Sequence, residues 1–142
     1  MEDLQDAGGL SQPPHLHHVG IVVPYEEHAA RLMTLLGLDE AYRGYVEAYK
    51  AECIFTVGHG GSPLELVVPR GGVLVEFNRG VGGLHHIALA VPDIRQKATD
   101  LAARGIELLE REPVRGAGNF LCNFLPPAQT RGVIVEFIED LD

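Results

Sequence analysis

Hydrophobic and polar positions along the chain fall into one pattern written twice. Leu16-His17-His18-Val19-Gly20-Ile21-Val22-Val23-Pro24 returns as Leu84-His85-His86-Ile87-Ala88-Leu89-Ala90-Val91-Pro92, offset by 68 residues. Each copy reads as an apolar strand that carries a His-His pair and stops at a proline. A helical stripe follows the first copy, with Ala29, Leu32, Met33 and Leu36 at i, i+3, i+4 and i+7 and Gly37 as C-cap. After the second copy, Asp93 is the expected N-cap, Ile94, Ala98, Leu101 and Ala102 form the stripe, and Gly105 ends it. Three strands are predicted behind each helix. In the first half they are 40–47, 51–57 and 64–68, with a turn at 58–62. In the second they are 106–111, 120–125 and 133–138, with loops at 116–119 and 126–132.

The predicted fold is therefore α+β, two paired βαβββ modules forming a curved mixed sheet around a cleft. Module one spans 15–69 and module two spans 84–142. Residues 70–83 are the crossover, with a short helix at 73–79, and 1–14 form a flexible tail. Two units are too few for an open solenoid, so the halves are expected to face each other across one core within a single domain.

Composition narrows the functional classes. The 142 residues are 46% hydrophobic, enough for a packed core, and the net charge of -9 disfavours a non-specific grip on nucleic acid or anionic lipid. No apolar run approaches a membrane span, and the acidic start Met1-Glu2-Asp3 is unlike a secretory signal, so a cytoplasmic location is expected. Cys53 and Cys122 lie 69 apart, nearly the repeat offset, and read as equivalent buried free thiols.

Candidate chemistry starts from the histidines. Strand alternation turns one of each pair inward. If His18 faces the cleft, Gly20 and Val22 do too, while His17, Val19 and Ile21 face the helix; the repeat gives His86 the same direction. Glu136 is a lone acid inside the apolar run Val133–Phe137, costly to bury without a charged partner. In the first half Glu65, 47 residues after His18, is preferred to Glu76, which stands only ten residues before His86 and belongs to the crossover. His18, Glu65, His86 and Glu136 make a borderline-hard donor set for Co²⁺, Ni²⁺, Mn²⁺, Fe²⁺ or Zn²⁺. Four such ligands on an octahedral ion leave two positions open to a bidentate oxygen substrate. His15, His17 and His85 are expected outside the ligand set. Tyr42, Tyr45 and Tyr49 are candidate pocket residues, and Gly116-Ala117-Gly118-Asn119 reads as a hairpin turn.

At this point the chain resembles the vicinal oxygen chelate superfamily (glyoxalase, bleomycin-resistance and dioxygenase proteins), and within it the methylmalonyl-CoA epimerase branch. The wording that carries the resemblance includes Leu64-Glu65-Leu66-Val67, Gly82-Gly83-Leu84-His85-His86-Ile87-Ala88, Phe124-Leu125-Pro126-Pro127 and Gly132-Val133-Ile134-Val135-Glu136. The resemblance implies the same four metal ligands and a homodimer. It implies an epimerase or isomerase of a small carboxylated acyl compound, with a CoA thioester as a candidate substrate, working by α-proton abstraction and a metal-stabilised enolate. It also implies Glu52 as acid/base, with Glu136 able to share that work. Two features depart from the branch: His17 stands where an acid is usual, and Pro126 replaces a histidine. Arg70, Arg79, Arg115 and Arg131 are the cations expected at the rim for a CoA diphosphate. Alternative readings are a glyoxalase I-type lactoylglutathione lyase, though the usual Asp-Pro-Asp-Gly turn is absent, and a metal-free small-molecule-binding module of the resistance type. A fourth ligand disfavours a dioxygenase, which uses two histidines and one carboxylate.

Overall fold

The computed structural model describes residues 13–57 and 61–142, so the expected tail lies almost wholly outside the described residues, as do positions 58–60 of the expected turn. The chain runs β1 (His15–Val22), α1 (Glu26–Leu36), β2 (Asp39–Val46), β3 (Ala51–Val57), β4 (Leu64–Pro69), β5 (Gly83–Ala90), α2 (Ile94–Ala102), β6 (Val114–Arg115), β7 (Phe120–Phe124) and β8 (Val135–Asp140). All eight strands form one mixed sheet in the order β2-β3-β4-β1-β5-β8-β7-β6. That order is a palindrome of the two halves. β1 runs parallel to β4 and β5 parallel to β8, while the central β1–β5 seam is antiparallel. A pseudo-twofold axis passes through that seam.

The sheet curls until its ends meet. A Cβ added at Gly44 of β2 would stand 2.6 Å from the Ala117 carbonyl oxygen beyond β6, so only a glycine lets the two backbones approach this closely. Tyr42 of β2 stacks on Phe55 with centroids 5.0 Å apart, and Phe55 meets Phe120 of β7 edge-on at 5.9 Å. Four apolar clusters fill the two faces. The helices cover the convex face. There Ala29 of α1 packs with Ile54, Leu66 and Val68, and Ile94 of α2 packs with Val91 and Phe137. The concave face holds Val22, Cys53 and Val67 from one half and Ala88, Cys122 and Ile138 from the other. Cys53 and Cys122 are buried free thiols.

Both helices are closed as their sequences specify. Gly37 caps α1 in the left-handed region at φ 70°, and the Asp93 side chain accepts from the Gln96 N–H at 3.0 Å. Leu36, expected in the buried stripe, is exposed. The crossover forms 3₁₀ turns over Val73–Gly80, broken at Phe77–Arg79 where Asn78 and Arg79 take positive φ.

The expected strand at 106–111 is absent. Its place against β7 is held by a side chain. Asn123 Oδ1 accepts from the Glu110 N–H, and Asn123 Nδ2 donates to the Glu110 carbonyl, each at 3.0 Å. Leu109 N–H adds one bond to the Phe124 carbonyl. The short edge strand β6 lies further along instead. No helix among the described residues is long and apolar enough to cross a membrane.

Candidate metal centre

His18, Glu65, His86 and Glu136 come from β1, β4, β5 and β8, the four central strands, and all four are buried on the concave face. One donor atom from each lies within 4.8 Å of the other three. The two imidazole Nε2 atoms are 3.3 Å apart. His18 Nε2 lies 3.2 Å from Glu65 Oε1 and 3.3 Å from Glu136 Oε1; His86 Nε2 lies 3.1 Å from each. Bonds of about 2.1 Å to one ion put neighbouring donors roughly 3.0–3.4 Å apart, so the spacing suits a shared divalent cation.

Protons alone leave this cluster poorly satisfied. Burial opposes charge on His86, but the Glu136 and Glu65 carboxylates, each 3.1 Å from its Nε2, hold its imidazolium up, to about 10. His18 is raised by the same two partners against its own burial. Burial works to raise Glu65 and Glu136, yet the two histidines hold both well below the usual carboxylate range. Even so, Glu136 Oε1, 3.3 Å from His18 Nε2 and 3.1 Å from His86 Nε2, meets neither in a well-aligned hydrogen bond. A buried carboxylate oxygen that faces two imidazole nitrogens without an aligned proton between them fits a divalent cation held by all three. The donor set is hard enough for the divalent ions named above, and it contains no thiolate: Cys53 and Cys122 line the neighbouring cavity but lie outside the ligand cluster.

The inner histidines are aimed by their neighbours. Phe55 meets the His18 ring edge-on at 4.9 Å, and Phe124, its repeat equivalent, meets the His86 ring at 5.9 Å. Gly20, opposite His86 across the seam, has no side chain to obstruct that ring.

The outer histidines depart from simple alternation. The β1–β5 register slips once at His17 and once at His85, each an extra residue without a cross-strand partner. Such bulges turn the chain locally. His17 consequently does not face the helix. Its ring lies beside His18 and 6.0 Å from Phe120, a concave-face residue. His85 likewise lies beside His86 and lines the cavity.

A cavity of about 440 Å³ opens beside the cluster. Glu65, His86 and Glu136 reach it among mostly apolar walls that include Val46, Val67, Leu74 and Phe124. Of the three candidate tyrosines only Tyr49 lines it, with a buried hydroxyl that has no partner; Tyr45 points to solvent, and Tyr42 is committed to its stack.

Glu52 is placed elsewhere. Cys53 and Phe55 of β3 face the cleft, so alternation turns Glu52 to the convex side, in register with Val68, which packs under α1. The residue on the cavity wall is Cys53. The four expected rim arginines also miss the cavity. Arg70 pairs with Glu26 at 3.2 Å, and Arg115 is held by the Gly118 carbonyl and Asn119. Arg79 and Arg131 take left-handed backbone conformations and are not among the lining residues. Lys50, which sequence reasoning passed over, is the cation that lines it. Its stem runs over Gly72, whose added Cβ would stand 3.5 Å from Lys50 Cδ.

A family model described as the glyoxalase/bleomycin resistance protein/dioxygenase superfamily matches residues 17–124. The chain belongs to that superfamily. Among its relatives, uncharacterized protein YqjC of Bacillus subtilis (strain 168) is 30% identical over 128 residues, 87% of this chain and 91% of that protein. Human mitochondrial methylmalonyl-CoA epimerase is 30% identical over 138 residues, 93% of this chain and 77% of that one. The crystal structure of methylmalonyl-CoA epimerase from Mycobacterium tuberculosis superposes with a TM-score of 0.84 at 23% identity, covering 90% of this chain and 89% of that chain. The curled eight-stranded sheet is thus the glyoxalase-like fold of the superfamily.

Proposed function

We propose that this protein is a metal-dependent epimerase of a small 2-carboxyacyl thioester, similar in activity to methylmalonyl-CoA epimerase. The observation that carries the reading is the two-histidine, two-glutamate cluster opening onto an apolar cavity. The relatives named as epimerases support the substrate class. His18, Glu65, His86 and Glu136 would hold a divalent ion, which would supply Lewis-acid stabilisation of negative charge on oxygen. The chain's own residues then handle protons. Glu136 reaches the cavity and removes the proton from the α-carbon. Glu65 stands across the pseudo-twofold axis and serves the opposite face: it takes a proton from solvent and delivers that proton to the α-carbon, while Glu136 gives up to solvent the one it removed. The apolar walls shed water and seat the acyl group. Tyr49 offers the acyl oxygens one unpartnered hydroxyl.

Incubation of the Co²⁺-loaded protein with methylmalonyl-CoA in D₂O tests this directly. Deuterium should enter the α-position, visible by proton NMR. No uptake with any of the five candidate metals would remove that substrate.

One observation favours a second reading. Lys50 is the lone Lys or Arg on the described cavity wall, and a CoA diphosphate would call for more. A thiol–ketoaldehyde adduct carries no diphosphate, so a glyoxalase I-type isomerisation is the alternative. Conversion of the methylglyoxal–glutathione adduct, followed by absorbance, decides between them.

A further inference from the structure

The outer histidine of each pair forms the same contact. His17 Nδ1 lies 2.8 Å from His18 Nδ1, and His85 Nδ1 lies 2.8 Å from His86 Nδ1. Both contacts exist because a bulge puts the outer histidine on the concave side, and both bulges fall on the outer histidine. Two independent strands thus build one device at equivalent places.

A hydrogen bond between two nitrogens needs one donor and one acceptor. The inner rings aim Nε2 at the cluster, so a ligating Nε2 must be the bare nitrogen, and the ring proton of His18 and His86 then sits on Nδ1. It follows that Nδ1 of His17 and His85 accepts, and that each outer ring carries its own proton on Nε2. On His17 that outer N–H looks toward Asp140 Oδ1, 3.6 Å away. On His85 it has no partner among the described residues, and the ring lines the cavity.

We infer that His17 and His85 are positioning residues that fix the metal-binding tautomer of His18 and His86, and that His85 thereby presents an N–H donor to an oxygen of the bound substrate. The inference rests on the metal-centre reading. Outer partners of this kind, usually a carboxylate or carbonyl, typically change metal affinity 10–100-fold when removed. Here an imidazole takes that role, which explains why each strand has a His-His pair and not a single histidine.

The test is Co²⁺ titration calorimetry on metal-stripped wild type, His17→Phe, His85→Phe and the matching Asp variants, with circular dichroism to check the fold. Phenylalanine keeps the ring and loses the acceptor, so each Phe variant should bind Co²⁺ about 10–100-fold more weakly. Aspartate restores an acceptor and should recover most of that loss. Affinities of the folded Phe variants within twofold of wild type would overturn the inference. If a Phe variant does not fold, ¹⁵N–¹H NMR of the Zn²⁺-loaded wild type decides. His17 and His85 should show the Nε2–H tautomer, and finding them as Nδ1–H overturns the assignment. A wild type that binds no metal sinks the metal-centre reading itself, a distinct result.

Discussion

Gly20→Ala is the sharpest test of the metal centre, because a single methyl group is set against a single ligand. An added Cβ would stand 2.5 Å from His86 Nε2 and closer still to Cε1 and Nδ1. Carbon contacts settle at about 3.5 Å or beyond, so the ring must retreat by roughly 1 Å or more. Site geometry tolerates about 0.5 Å. His86 is thus lost as a well-placed ligand, and Co²⁺ affinity should fall by about 100-fold or more, beyond the usual outer-partner effect. The backbone at Gly20 is not in the left-handed region, so alanine there carries no φ strain. Alanine in a strand interior is ordinarily better than glycine by about 0.5–1 kcal/mol, while overpacking costs about 1–3 kcal/mol. Metal-free stability should therefore fall by no more than about 2.5 kcal/mol, which urea unfolding measures separately from binding. The pseudo-twofold supplies the control. Ala88 is the repeat equivalent of Gly20 and faces His18 across the seam, already carrying the methyl. Ala88→Gly should leave affinity within a few-fold. Wild-type Co²⁺ affinity in Gly20→Ala would refute the reasoning, because it would mean that His86 can take up the placement His18 already has beside a Cβ.

Further outcomes follow from the same geometry. Glu136→Gln should abolish α-deuterium exchange, whereas Glu52→Gln, on the convex face, should leave the exchange rate within twofold; a Glu52→Gln loss matching Glu136→Gln would return Glu52 to the site. Metal-free His86 is held up to about 10, so its contribution to stability is fully present below its unfolded value near 6.5 and disappears as pH rises through 10. Urea midpoints of the metal-free protein should fall between pH 7 and 10, and those of the Zn²⁺-loaded protein should not, since its imidazoles are already neutral ligands. Burial pushes the Cys53 and Cys122 thiols up, so a disulfide reagent at pH 8 should react with neither in the native protein and with two thiols per chain in guanidinium.

The core of this site is legible in the sequence because it rests on repetition and burial. A doubled strand motif locates His18 and His86, and an acid inside an apolar run locates Glu65 and Glu136. What the letters hide is local register. Alternation assigns His17 to the helix side, and a bulge reverses that without leaving any composition signal except the doubled histidine itself. Glu52 is a different case: β3 keeps its register, and plain alternation puts its neighbour Cys53 on the cavity wall. The cue was the cysteine pair, since Cys53 and Cys122 sit at equivalent positions and both face the cleft. The strand at 106–111 fails because one buried asparagine replaces a strand's worth of pairing. Its repeat equivalent in the first half is Ile54, which leaves that edge free for β2.

The antiparallel seam has a consequence for assembly. Each half brings one imidazole and one carboxylate, so neither half alone could chelate an ion well, and an ion held by all four would act as a bolt between two modules. An ion at a thousandfold over its Kd adds about 4 kcal/mol to the joined state and nothing to the parted one. The two halves, expressed as separate chains cut within the crossover, should then recombine in the presence of metal and come apart under a chelator. Amide exchange in the intact chain should slow most along β1 and β5.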